Sequence, residues 1–170
     1  MNSEKLRELQ SPLKSKYKEN PETAVITLSS RGKIGEGVTC KVDTGKALVE
    51  VGLHPATGGE GMAACSGDML LGSLVACAGV TLNAVATAIE VDLGPDTEIR
   101  AEGDLDFRGT LGVDKDAPVG FKEIRLTFHI DTDASEEKIL SLIKLTERYC
   151  VIFQTLSTKP KLITEHVVVK

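Results

Sequence analysis

The chain has 170 residues, a formal net charge of −5 and 41% apolar residues, with two Tyr, four Phe and no Trp. That length supports one domain whose core no disulfide or metal has to staple. An acidic, aromatic-poor chain lacks the basic stripe and stacking platforms of a nucleic-acid binder, so no nucleic-acid partner is expected.

The opening stretch "MNSEKLRELQSPLKSKYKEN" is charged throughout and has no apolar h-region. It reads as no secretory signal, and a cytoplasmic, reducing compartment is the expectation. Four cysteines in that compartment are free or redox-active rather than a structural framework. Ser3–Glu19 is predicted to be an amphipathic helix that Pro12 kinks or divides. Ala24–Leu28, Gly37–Val42 and Lys46–Val51 alternate with period two and read as short strands, the last two joined by the hairpin turn "DTGK". "GLHPATGGEGMAACSG" is a Gly-rich loop.

Met69–Ile89 carries no charged side chain and is long enough to span a membrane. Its Gly, Ala, Ser and Thr content, the interruption by Asn83, and acidic flanks without Trp, Tyr, Lys or Arg argue instead for a buried soluble helix. No membrane partner is expected, and Gly94 and Pro95 are expected to stop the helix. Beyond it, Ile99, Ala101, Leu105 and Phe107 alternate with charged residues, as do Ile124, Leu126, Phe128 and Ile130 with polar ones. Two such strands make an antiparallel sheet with one wet and one buried face. "GTLGVDKDAPVG" between them reads as a flexible loop. Asp133, with Glu136 three residues on, is expected to cap a second helix whose stripe is Ile139, Leu140, Leu142, Ile143 and Leu145. This helix or its continuation reaches "RYCVIFQTL", Pro160 closes it, and "KLITEHVVVK" reads as a last strand. The class is α+β, with antiparallel sheets on two apolar helices.

Cys40 falls on the apolar side of its strand and reads as a core residue. Cys65 lies just before the long helix, where a helix N-terminus lowers a thiol pKa, which makes it a rival nucleophile. The cysteine spacings fit no zinc pattern, so no metal and no cofactor are expected. Cys77 and Cys150 each lie in an apolar helical segment. The residue pattern leaves two inert core cysteines and a redox pair equally open. His129 falls on the wet face of its strand, and no motif puts His54 or His166 beside a nucleophile, so hydrolase chemistry has no support. The acidic run Glu98–Asp106 reads as an exposed sheet face.

Several segments together carry a resemblance. "SGDMLLGSLVACAGVTL" resembles the first cysteine motif of the OsmC/Ohr family (osmotically inducible protein C-like and organic hydroperoxide resistance protein-like), and "ERYCVIFQTL" resembles its second. "AVITLSSRGKIG" resembles the family's early strand ending in arginine, and "HPATGGEG" its Gly-Gly loop. The likeness runs from about Glu22 to the C-terminus, which divides the chain into an N-terminal helical extension, 1–20, and an OsmC-like domain, 21–170.

The resemblance implies an intertwined homodimer with active sites at the subunit boundary. It also implies a thiol peroxidase that reduces organic hydroperoxides and is recycled by an external dithiol. By position, Cys77 is the peroxidatic cysteine, Cys150 the resolving one, and Arg31 and Asp68 assist. The chain departs from the family in Val151, where Pro usually follows the second cysteine, in Asp68 for Glu, and in "SSR" for a Gly-Gly-Arg turn.

Asp68 precedes Cys77 by nine residues, which in a regular helix puts them on opposite faces, roughly 13 Å apart along the axis. Asp68 therefore either lies in a non-helical lead-in or serves the other subunit's thiol. A non-catalytic homodimer that binds an apolar small molecule, and a thiol sensor, are the alternatives on the same fold.

Overall fold

The protein is described from a computed structural model, for residues 2–20, 31–34, 39–43, 48–112 and 114–169. Helix α1 (Ser3–Glu19) runs through Pro12 as one element. Its first turn is capped by Asn2, whose Oδ1 accepts from the Lys5 N–H at 2.9 Å. Strands β1 (Arg31–Ile34), β2 (Thr39–Asp43) and β3 (Leu48–Gly52) form an antiparallel sheet in that order. The register pairs Arg31 with Asp43 and Val42 with Val49. The predicted strand Ala24–Leu28 lies outside the described residues.

The Gly-rich loop turns back on β3. Ala64 donates to the Glu50 carbonyl and accepts from the Gly52 N–H, both at 3.0 Å. Gly59 permits this fold-back, because a Cβ there would sit 1.7 Å from the Leu53 carbonyl oxygen. The next helix is thereby anchored to the sheet at its N-terminus.

That helix, α2 (Ser66–Ala88), is the central element. By length and composition it could cross a membrane. Here Leu74, Ala78, Leu82, Val85 and Ala86 are buried in the core. Its hydroxyls are taken up internally: Ser73, Thr81 and Thr87 each donate to the carbonyl four residues back, at 2.7–2.8 Å. Gly94 and Pro95 do not stop it. The helix ends at Ile89, where Glu90 adopts φ 57° and the Val91 N–H closes onto the Ala86 carbonyl at 2.9 Å. This is a Schellman closure built on a non-glycine residue. The Glu90 carboxylate accepts from the Ser3 hydroxyl at 3.0 Å, tying α1 to α2.

Strands β4 (Glu98–Leu105) and β5 (Phe121–His129) pair antiparallel, with Ile99 opposite Phe128 and Ala101 opposite Leu126. The alternation read from the sequence holds for Ile99, Ala101 and Leu105 and for Ile124, Leu126 and Phe128, whereas Phe107 and Ile130 lie beyond the strand ends. The outer face holds Glu98–Arg100 and Arg125–Asp104 ion pairs, and His129 is exposed there. The loop between the strands is pinned rather than loose. Asp106 caps the short helix α3 (Phe107–Thr110), Arg108 pairs with Asp106 and Asp114, and Ala117 is buried.

Helix α4 (Glu136–Tyr149) starts after Ser135, not after Asp133, and its N-cap side chain makes no capping bond. Leu142 and Thr146 are its buried positions, whereas Leu140 points outward, 62% exposed. Helix α4 does not continue through Cys150. It stops there, and α5 (Val151–Ser157) begins in a new direction, with Cys150 extended at φ −73°, ψ 109°.

The predicted last strand does not form. Residues 158–169 lie without regular structure and are exposed throughout. A strand exists only through ladder bonds to a neighbour, and this segment has none among the described residues. The result is an α+β fold with one central apolar helix, flanked by α4 and a small antiparallel sheet.

Candidate active site

Cys77 lies midway along α2 and is half-buried. Cys150 lies at the α4–α5 break and is 1% exposed. Both belong to one cluster with Leu74, Ala78, Ala101, Ile124, Leu126, Ile152 and Phe153. The side chains of the two cysteines are hydrogen-bonded to each other, and both thiols are free.

The two thiols are polarised in opposite directions. Burial works to raise the Cys77 pKa. Hydrogen bonds from the Ile152 N–H, the Cys150 thiol and the Val151 N–H outweigh it, and the net direction is down. Burial pushes the Cys150 thiol up. The Phe153 and Ile152 N–H groups oppose this, but the hydrogen bond to Cys77 and the repulsion from its charge leave the net direction up. The Cys150 S–H is thus the donor and the Cys77 sulfur the acceptor.

The break at Cys150 creates this arrangement. A continuous helix would direct the Val151 and Ile152 N–H groups at carbonyls of α4. The change of direction frees both to face the Cys77 sulfur. Val151 opens α5 without the proline that the family usually places there, so the new helix does not depend on that ring. Ile152 was not singled out from the sequence, and Val151 was noted there only as the residue standing where the family usually has Pro.

Asp68 is in the first turn of α2 and exposed, which removes the non-helical lead-in as an explanation. It lines a separate cavity of about 150 Å³ with Cys65, His54, Phe107 and Phe121. Cys65 is the N-cap of α2, half-buried, and its side chain makes no capping bond. His54 stacks on Phe107 with centroids 5.0 Å apart, and its Nδ1 accepts from the Ala56 N–H. Arg31 opens β1 rather than closing a described strand. The Arg31 and Cys40 side chains lie outside the described residues. Of the four expected site residues, two are thus brought together, one is held apart on α2, and the guanidinium of the fourth is not described. Among the described residues no three His, Cys, Asp or Glu side chains are grouped to hold a metal.

The sequence profile of the OsmC-like protein family matches residues 58–165, more than half of the chain, taking in both cysteines. The chain belongs to the OsmC family. The match begins after the Arg31 segment and after α1. Solved structures agree on the fold. The OsmC-like protein of Mycoplasma pneumoniae superposes with a TM-score of 0.65 at 19% identity, covering 79% of this chain and 89% of that one. An organic hydroperoxide resistance protein of Elizabethkingia anophelis gives 0.62 at 19% identity over 79% and 91%. OhrB of Bacillus subtilis, also an organic hydroperoxide resistance protein, gives 0.53 at 19% identity over 79% and 93%. No curated protein matches the sequence. OsmC membership and two thiols in contact are together consistent with thiol-based redox chemistry.

Proposed function

We propose that this OsmC-family chain is a cysteine-based thiol peroxidase that reduces organic hydroperoxides in the cytoplasm. The observation that carries the reading is the contact between an acidified Cys77 and a protonated Cys150. The Cys77 thiolate attacks the hydroperoxide, an S–O bond forms and the O–O bond breaks. The alkoxide leaves and takes a proton to become the alcohol, and Cys77 is left as a sulfenic acid. Cys150 then attacks that sulfur. An S–S bond forms, and the sulfenic hydroxyl leaves as water with the Cys150 proton. An external dithiol supplies two electrons and two protons to restore the pair.

In this reading Arg31 stabilises the thiolate and holds the peroxide, since arginine stays charged when desolvated. Asp68 fixes a guanidinium at the partner subunit's site. Its helical position, nine residues before Cys77, supports that assignment over service to its own chain. Residues 1–20 form an extension outside the catalytic domain, 21–170.

The assembly proposed is an intertwined homodimer with active sites at the subunit boundary. Large apolar side chains are exposed on the single chain: Val80 on α2, and Leu162, Ile163, Val167, Val168 and Val169 on the tail, are 73–89% exposed.

The test is turnover with cumene hydroperoxide and a dithiol. Cys77→Ser loses reduction, whereas Cys150→Ser consumes one equivalent and stalls at the sulfenic or over-oxidised level. Normal turnover in Cys77→Ser, with loss in Cys65→Ser, overturns the assignment.

A further inference from the structure

Where the chain breaks between α4 and α5, the Glu147 carbonyl, in the last turn of α4, loses the backbone donor that a continuing helix would supply. The Gln154 side-chain amide takes that place, donating to the Glu147 carbonyl at 2.8 Å. The Gln154 backbone N–H simultaneously donates to the Cys150 carbonyl at 3.0 Å. One residue of α5 therefore holds α4 on the near side of the break and Cys150 itself at the break. On the α4 side of the joint the Cys150 N–H donates to the Thr146 carbonyl, at 2.9 Å. Thr146 is fully buried, and its hydroxyl is bonded to the Leu142 carbonyl at 2.8 Å, so the α4 side of the joint is fixed. Ile152 and Phe153 seat α5 in the core, and Gln154 is the side chain that ties it back to α4 across the break. The orientation of α5 against α4 sets where the Cys150 sulfur meets Cys77 and where the Val151 and Ile152 N–H groups point.

We infer that Gln154 is a positioning residue for disulfide formation. It clasps the α4–α5 joint so that Cys150 reaches the sulfenic sulfur of Cys77. This role rests on the peroxidase reading above. It concerns the second chemical step, in which the Cys150 sulfur forms the S–S bond to Cys77 and the sulfenic hydroxyl leaves as water with the Cys150 proton. A disulfide tolerates only a narrow range of Cα separations and dihedrals, so a loosened joint penalises this step more than attack by Cys77 on a small peroxide. Gln154 is exposed, and its loss removes one solvent-accessible hydrogen bond, which global stability hardly registers.

The experiment is rapid-quench kinetics with cumene hydroperoxide on the full chain, following sulfenic acid and disulfide separately in wild type, Gln154→Ala and Gln154→Lys. In Gln154→Ala, sulfenic acid formation keeps its rate, disulfide formation falls roughly five-fold, over-oxidised Cys77 accumulates, and the unfolding midpoint stays in place. Gln154→Lys, whose ammonium again donates to the Glu147 carbonyl, recovers the disulfide rate. Wild-type disulfide rates in Gln154→Ala overturn the role. So does a loss that Gln154→Lys fails to recover, or an equal slowing of both steps. A wild-type protein that forms sulfenic acid but no Cys77–Cys150 disulfide overturns the resolving assignment, and this role with it. That result is distinct from a failure of Gln154→Ala alone.

Discussion

Cys150 donates its thiol hydrogen to the Cys77 sulfur from the break between α4 and α5. The same break turns the Val151 and Ile152 N–H groups onto that sulfur, so donors on neighbouring residues converge on one thiol. A mid-helix cysteine in an apolar cluster would otherwise be less acidic than a free one.

Because the Cys150 thiol is one of those donors, its removal raises the Cys77 pKa. Cys150→Ala should slow Cys77 alkylation near neutral pH, and Cys150→Ser, which keeps a hydroxyl donor, should slow it less. The sign follows from the thiolate: its fraction at a fixed pH falls as the pKa rises. Rates of iodoacetamide labelling between pH 6 and pH 10 check this, and the three proteins should converge at the alkaline end. An order with Ser slower than Ala would count against the hydrogen bond.

Arg31 makes a separate prediction. If its guanidinium adds to the backbone donors, Arg31→Met lowers the alkylation rate of Cys77 at pH 6 about ten-fold or more. At pH 10 the variant matches wild type. A small, pH-independent change would assign thiolate stabilisation to the α5 donors alone.

The exposed Val80 on α2 and the exposed apolar tail predict association. Sedimentation at micromolar concentration should return a dimer mass, and Val80→Lys, which places a charge on that face of α2, should shift it toward the monomer. Activity should fall with the dimer, because Asp68 is assigned to the partner subunit's site. A wild-type monomer that is fully active contradicts this.

Core packing on α2 is testable by stability. Leu82 is 1% exposed and packs with Val85, Ala86, Val91 and Leu142. Leu82→Ala should lose about 2–5 kcal/mol in urea denaturation. Leu140→Ala, at an exposed position on α4, should lose far less.

The sequence announced those elements whose determinants are local. The alternation around Ile99 and Leu126 identified β4, β5 and their buried face, and the charge-free run identified α2. It misplaced features whose determinants are tertiary. The end of α2 was assigned to Gly94 because glycine and proline mark helix ends, yet Glu90 takes the left-handed position instead. The start of α4 was assigned to Asp133, whereas the chain enters the helix at Ser135. "KLITEHVVVK" has strand composition but finds no described neighbour within the chain. At the site, the Cys77–Cys150 pairing followed from a family resemblance. The break at Cys150 had no punctuation to reveal it, because Val151 stands where a proline would have signalled a new helix.

The most direct measurement of the central claim is a thiol titration of the reduced protein before and after one equivalent of cumene hydroperoxide, with peptide mapping of the product. The account predicts the loss of two thiols per chain and one disulfide, joining Cys77 to Cys150 within a single chain. Unchanged thiols, or a product in which Cys65 is oxidised while Cys77 and Cys150 remain reduced, would contradict it.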